Sequence, residues 1–123
     1  MKYEAFVKAI GLDIEEEIVI VVNGIELTGF ISYCPYILEV GKTYQVSIDI
    51  TILDDFKIRR IDEPVKVLQR IDQSFVYLIK GILKPGGVIE SSIVIQDELF
   101  IDYAYLYNEF VETKADRIAI SFW

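Results

Sequence analysis

The sequence predicts an all-β chain, and three observations carry that expectation. Isoleucine and valine supply 33 of its 65 apolar residues, and branched side chains are stiff at χ1 and suit a pleated surface. Apolar and polar residues alternate with the two-residue period of strands in several segments. Short clusters of turn-forming residues separate those segments.

The strands can be placed in order. Tyr3 to Ile10 is the first candidate, followed by a hairpin. Its arms are Ile18-Val19-Ile20-Val21-Val22 and Ile25-Glu26-Leu27-Thr28, joined by Asn23-Gly24. Asn-Gly supplies the two positive-φ positions that a type I′ turn needs. The unbroken apolar run of the first arm predicts a strand covered on both faces. Next, Tyr44, Val46, Ile48, Ile50 and Ile52 face one way, and Gln45, Ser47, Asp49 and Thr51 the other. That is a strand with one wet face. Further candidates are Phe56 to Ile61, Val65 to Arg70, Phe75 to Leu83, Val88 to Ile95 and Glu112 to Phe122. Asp54-Asp55, Asp62-Glu63-Pro64, Asp72-Gln73-Ser74 and Pro85-Gly86-Gly87 break the chain between most of them.

Asp97 to Thr113 fits two patterns. Leu99, Tyr103, Leu106 and Phe110 share a helical stripe, whereas Ile101, Tyr103, Tyr105 and Tyr107 share a strand face. Tyrosine loses χ1 freedom in a helix, so a short strand followed by an irregular or single-turn stretch is expected. With roughly eight to ten short strands, the expected architecture is one β domain over residues 1–123. It would be a small antiparallel barrel with OB-like closure, or a compact sandwich, with at most one short helix.

Composition bounds function mainly by exclusion. The chain has no histidine and a single cysteine, Cys34. Nucleophile–histidine pairs, Cys/His zinc sites and imidazole acid–base chemistry all need side chains that are missing. A lone cysteine cannot form an intramolecular disulfide, Met1-Lys2-Tyr3-Glu4 lacks the apolar core of a secretory signal, and Ile18 to Val22 is too short to span a bilayer. A cytoplasmic location and no membrane partner are therefore expected.

Twenty acids against twelve bases give a net charge of −8. Tyr3 to Gly41 carries seven acids and only Lys8, and Pro85 to Thr113 carries six acids and no base. Between them, Lys57, Arg59, Arg60, Lys66 and Arg70 outnumber Asp62 and Glu63. An acidic surface of this kind either serves solubility or docks a basic partner. The basic segment, with Phe56, Phe75 and Tyr77 nearby, has elements of an OB-type single-strand site. Its small excess in an acidic chain favours pairing with surrounding acids instead, and nucleic-acid binding is not expected.

Other motifs dissolve under their own requirements. Gly41-Lys42-Thr43 matches the end of a phosphate-binding loop, but Tyr36 stands where the first glycine belongs and a strand, not a helix, follows. Glu15-Glu16-Glu17 and Asp97-Glu98 with Asp102 are the densest carboxylates. Sequence neighbours on a strand point to opposite faces, which argues against a catalytic pair. No calcium-loop spacing is present. Cys34, between Tyr33 and Pro35-Tyr36, reads as a small buried hydrophobe.

The remaining lead is tyrosine. Tyr103, Tyr105 and Tyr107 lie in the base-free stretch from Pro85 to Thr113, beside Asp97, Glu98 and Asp102. Tyrosine is enriched at binding hot spots, and acids around it suit a partner presenting lysines and arginines. The expected function is a non-catalytic acidic binding protein that docks a basic partner protein, such as an immunity or antitoxin-type inhibitor, with no cofactor and no metal. Two alternatives are an OB-like module or scaffold subunit of a larger assembly, and a carboxylate-based enzyme.

Overall fold

A computed structural model describes residues 2–11 and 14–123. In chain order, the first four strands are β1 (Lys2–Ile10), β2 (Glu17–Val22), β3 (Ile25–Tyr33) and β4 (Thr43–Thr51). Six follow: β5 (Ile58–Arg60), β6 (Val67–Arg70), β7 (Tyr77–Lys84), β8 (Val88–Glu90), β9 (Val94–Gln96) and β10 (Phe110–Ala115). The last is β11 (Arg117–Phe122). Two single 3-10 turns, Glu98–Phe100 and Ala104–Leu106, are the helical elements among the described residues. None of these helices is long and apolar enough to cross a membrane. The protein is all-β.

The chain divides into two compact units. One comprises residues 1–49 and 118–123, and its strands close into a barrel in the order β1-β2-β3-β11-β4. It departs from an all-antiparallel barrel at one pairing: β11 runs parallel to β3, with Ala119 opposite Phe30 and Ile120 opposite Ile31. Alternation decides what the barrel buries. Val46 and Ile48 of β4 point in while Gln45 and Asp49 stay exposed. Ile18, Ile20 and Val22 of β2 are fully buried and Val19 nearly so, which explains the continuous apolar run. Ile118, Ile120 and Phe122 add the inward row of β11.

Two glycines are required by this geometry. At the β2–β3 turn, Asn23 and Gly24 have φ of 50° and 79°, and the register runs straight through to Val22 opposite Ile25. At Gly29 of β3, a Cβ would stand 2.5 Å from the carbonyl oxygen of Ile118. The parallel contact of β3 with β11 thus needs a residue without a side chain.

The second unit spans residues 50–117 and holds a six-stranded sheet. Its order is β5-β10-β7-β8-β9, and β6 also pairs with β7. Tyr77, Ile79 and Leu83 of β7 face a core completed by Ile89, Ile95, Phe100, Leu106 and Val111. The ends of the unit are clasped together. The Asp116 amide donates to the Thr51 carbonyl (2.9 Å), and the Asp116 carboxylate accepts from the Leu53 amide (2.7 Å).

Three segments depart from the sequence-based expectation. Val88 to Ile95 is a hairpin rather than one strand, turning at Ser91-Ser92, where the Ser91 hydroxyl donates to the Lys80 carbonyl (2.6 Å). Glu112 to Phe122 is interrupted at Asp116, which is engaged in the clasp. Asp97 to Thr113 reverses the expected order: single turns come first and β10 follows. The cause is local, because the Asp97 carboxylate caps the first turn by accepting from the Leu99 amide (2.9 Å).

Two substitutions test the glycine requirements. Gly24→Val should lower unfolding free energy by about 1–3 kcal/mol through backbone strain alone, since nothing lies within 4 Å of its Cβ position. Gly29→Ala should cost about 1–3 kcal/mol by overpacking. Urea midpoints equal to that of the parent chain would reject the turn type and the close approach respectively.

Candidate functional site

Register places charged side chains in rows across the sheet of the second unit. Glu112 of β10 sits opposite Arg59 on β5 and Lys80 on β7. Side chains directly opposite share a face, and here they meet. Arg59 Nε and Nη2 lie 2.9 and 2.7 Å from Glu112 Oε2, and Lys80 Nζ lies 3.6 Å from Oε1. The Glu112 side chain is 16% exposed, so most of its charge compensation comes from these two bases.

The neighbouring row is different. Lys114 is opposite Leu78 of β7, and extending the β5–β10 register one step beyond Ile58–Thr113 puts Lys57 beside it. Neither lysine has an ion-pair partner among the described residues. These rows border a cleft of about 540 Å³. Ile58, Leu78 and Thr113 contribute to its lining, and the Thr113 hydroxyl is committed to the Lys57 carbonyl at 2.7 Å. Phe56 and Tyr103 form its aromatic wall, ring centroids 5.5 Å apart and edge to face. Phe56 is itself backed by the buried Phe100, at 5.7 Å.

The sequence-predicted partner residues are dispersed rather than gathered on one strand face. Asp97 is half-buried as a turn cap, Tyr103 belongs to the cleft, and the half-buried Tyr107 directs its hydroxyl at the Ile101 carbonyl, 3.5 Å away. Glu98, Asp102 and Tyr105 are exposed, Tyr105 at 76%. The 3-10 turns do not keep the two-residue period, so alternate tyrosines do not align. Three of the six acids in the base-free stretch face bases brought from elsewhere in the sheet: Glu90 faces Lys66 (4.0 Å), Glu109 faces Arg60 (3.4 Å), and Glu112 is held as described. Glu98 and Asp102 keep no such partner among the described residues. Leu99 and Ile101, unremarked as binding residues in the sequence, are exposed between them.

The remaining motifs take structural roles. Gly41 has φ of 91° in the turn entering β4, and Lys42 pairs with Glu39, whose carboxylate raises the lysine pKa. Cys34 is half-buried, with its thiol 2.9 Å from the Tyr36 carbonyl. The Tyr36 phenol is pushed above its ordinary pKa by burial first, then by Cys34 and Tyr44, and donates to the Trp123 carbonyl (2.8 Å). Of the glutamate triplet, Glu15 and Glu16 are exposed, while Glu17 is buried with Oε1 unpaired among the described residues. No group of three metal-ligating side chains is gathered among the described residues.

A family model described as Uncharacterised conserved protein UCP019853 matches residues 1–123. The chain belongs to that family. No curated protein and no solved structure matches it.

The Arg59–Glu112–Lys80 row makes a stability prediction. Glu112→Ala would leave the partly buried Lys80 without its carboxylate, and should cost about 1–2 kcal/mol. Denaturant unfolding measures it, and an unchanged midpoint would mean the row is a solvated ornament of the surface.

Proposed function

We propose that this chain is a non-catalytic binding protein that docks a basic partner protein through residues 97–109. One observation carries this reading: Glu98 and Asp102, without an ion-pair partner among the described residues, are interleaved with exposed Leu99, Ile101 and Tyr105. Apolar and aromatic anchors supply contact area, and the acids steer a cationic surface toward it. Immunity-type inhibition of a basic toxin or nuclease is one function of this form. The lone cysteine fits work in a reducing, cytoplasmic setting.

A second reading is an OB-like module of a larger assembly, which the closed five-stranded barrel supports. Fold alone is a weak guide to function, so residues 97–109 carry the preferred reading.

Binding kinetics with a partner captured on the immobilised chain separate the two. In the first reading, association falls steeply with ionic strength, and Glu98→Lys/Asp102→Lys slows it by about tenfold at low salt. Tyr105→Ala speeds dissociation by about thirtyfold, the equivalent of a 2 kcal/mol hot spot. A partner that binds both variants like the parent chain overturns docking at residues 97–109 and favours the assembly-module reading.

A further inference from the structure

We propose that the cleft of the second unit binds a small organic anion built as a flat ring bearing a phosphate or carboxylate group. This site shares Tyr103 with the segment 97–109 but does not depend on docking there.

The charge pattern comes first. Like charges side by side on neighbouring strands destabilise a sheet unless something lies between them. Lys57, next to the start of β5, and Lys114 of β10 both line the cleft, and neither has an acidic partner among the described residues. Acids are abundant in this chain, and other bases of the same segment have found them: Arg59 has Glu112, Arg60 has Glu109 and Lys66 has Glu90. The one acid lining the cleft, Glu112, is held by Arg59 and Lys80 and cannot also neutralise the two lysines. Of the charged side chains that line the cleft, three are bases and one is an acid, on a protein of net charge −8.

Shape and chemistry restrict the ligand further. A volume of about 540 Å³ lies within the range of small-molecule sites. Phe56 is fixed between Phe100 and Tyr103 by ring contacts at 5.7 and 5.5 Å, so it offers a preorganised edge or face to a planar group. Leu78 and Ile58 extend the apolar lining. A bare inorganic anion would leave that lining unused, and a neutral ring would leave the two ammonium groups uncompensated. A ring and an anionic group in one molecule satisfy both.

The test titrates the full chain, labelled with 15N, with phenyl phosphate and with benzoate, using benzyl alcohol and inorganic phosphate as half-ligands. The expected result is saturable amide shifts at Phe56 to Arg59, Leu78, Tyr103 and Glu112 to Lys114 with at least one aryl anion. Each half-ligand should bind at least about tenfold more weakly. Lys57→Gln/Lys114→Gln should weaken the aryl anion by about tenfold, as expected for loss of two exposed charges. A melting temperature matching the parent would show that the variant still folds. Phe56→Leu should weaken both aryl anions while leaving any response to inorganic phosphate unchanged. The proposal is overturned if neither aryl anion saturates, if the shifts map elsewhere, or if the double lysine variant binds like the parent. Affinity for single-stranded oligonucleotides that grows with length would also overturn it, by showing a polymer track instead of a closed site.

Discussion

The barrel closes through a parallel contact, β3 against β11, and the rest of the topology follows from it. Antiparallel strands can be joined by a two-residue turn, as β2 and β3 are at Asn23-Gly24. Parallel strands cannot, and need a long connection. The chain between Tyr33 and Arg117 is that connection, and it contains both β4 and the whole six-stranded sheet. The contact also dictates a residue: Gly29 is where β3 comes within reach of the Ile118 carbonyl. The other barrel pairings with residue-by-residue registers here, β1–β2, β2–β3 and β1–β4, are antiparallel.

Electrostatics in the sheet unit is a matter of pairing more than of net charge. A stretch of six acids looks like a strong anionic face when read along the chain. Folding sets Lys66, Arg60, Arg59 and Lys80 against three of those acids, and Asp97 is used as a turn cap. Among the charges left without an ion pair in the described residues are Glu98 and Asp102 beside exposed apolar side chains, and Lys57 and Lys114 at the cleft. Exposed ion pairs contribute little to stability individually. Their larger effect here is subtractive, because they take Glu90, Glu109 and Glu112 out of what reads along the chain as one anionic face.

Period and turn chemistry made the barrel legible. The β4 alternation and the Asn23-Gly24 turn are local signals, and the structure keeps both, with Val46 and Ile48 inward and both turn residues at positive φ. Failures came where the deciding interaction is distant in sequence. Ser91 turns the β8–β9 hairpin while bonding to Lys80, and Asp116 breaks a smooth alternation while bonding to Leu53. Neither place carries a glycine or proline to mark it. The site was less legible still. Phe56, Lys57 and Tyr103 were visible as residue types, but the cleft that Lys57 and Lys114 both line exists only once β5 and β10 are paired. Exposure of Leu99, Ile101 and Tyr105 follows from two single turns whose geometry depends on the Asp97 cap.

The clasp between Thr51 and Asp116 bears on the order in which the chain assembles. Joining β4 to β11 means bringing together positions separated by all of residues 52–116, and the entropic cost of closing a loop rises by about 0.6 kcal/mol with each doubling of its length. Much of the insert is made of neighbouring strands, β6 with β7, β7 with β8 and β8 with β9, which form without long searches. Once β10 has joined them, the clasp holds the two exits of the insert a hydrogen bond apart. From then on β11 stands to β4 much as one arm of a hairpin stands to the other. With Thr51 and Asp116 a hydrogen bond apart, the strand that ends at Thr51 and the strand that begins at Arg117 are neighbours in space although sixty-five residues part them in sequence.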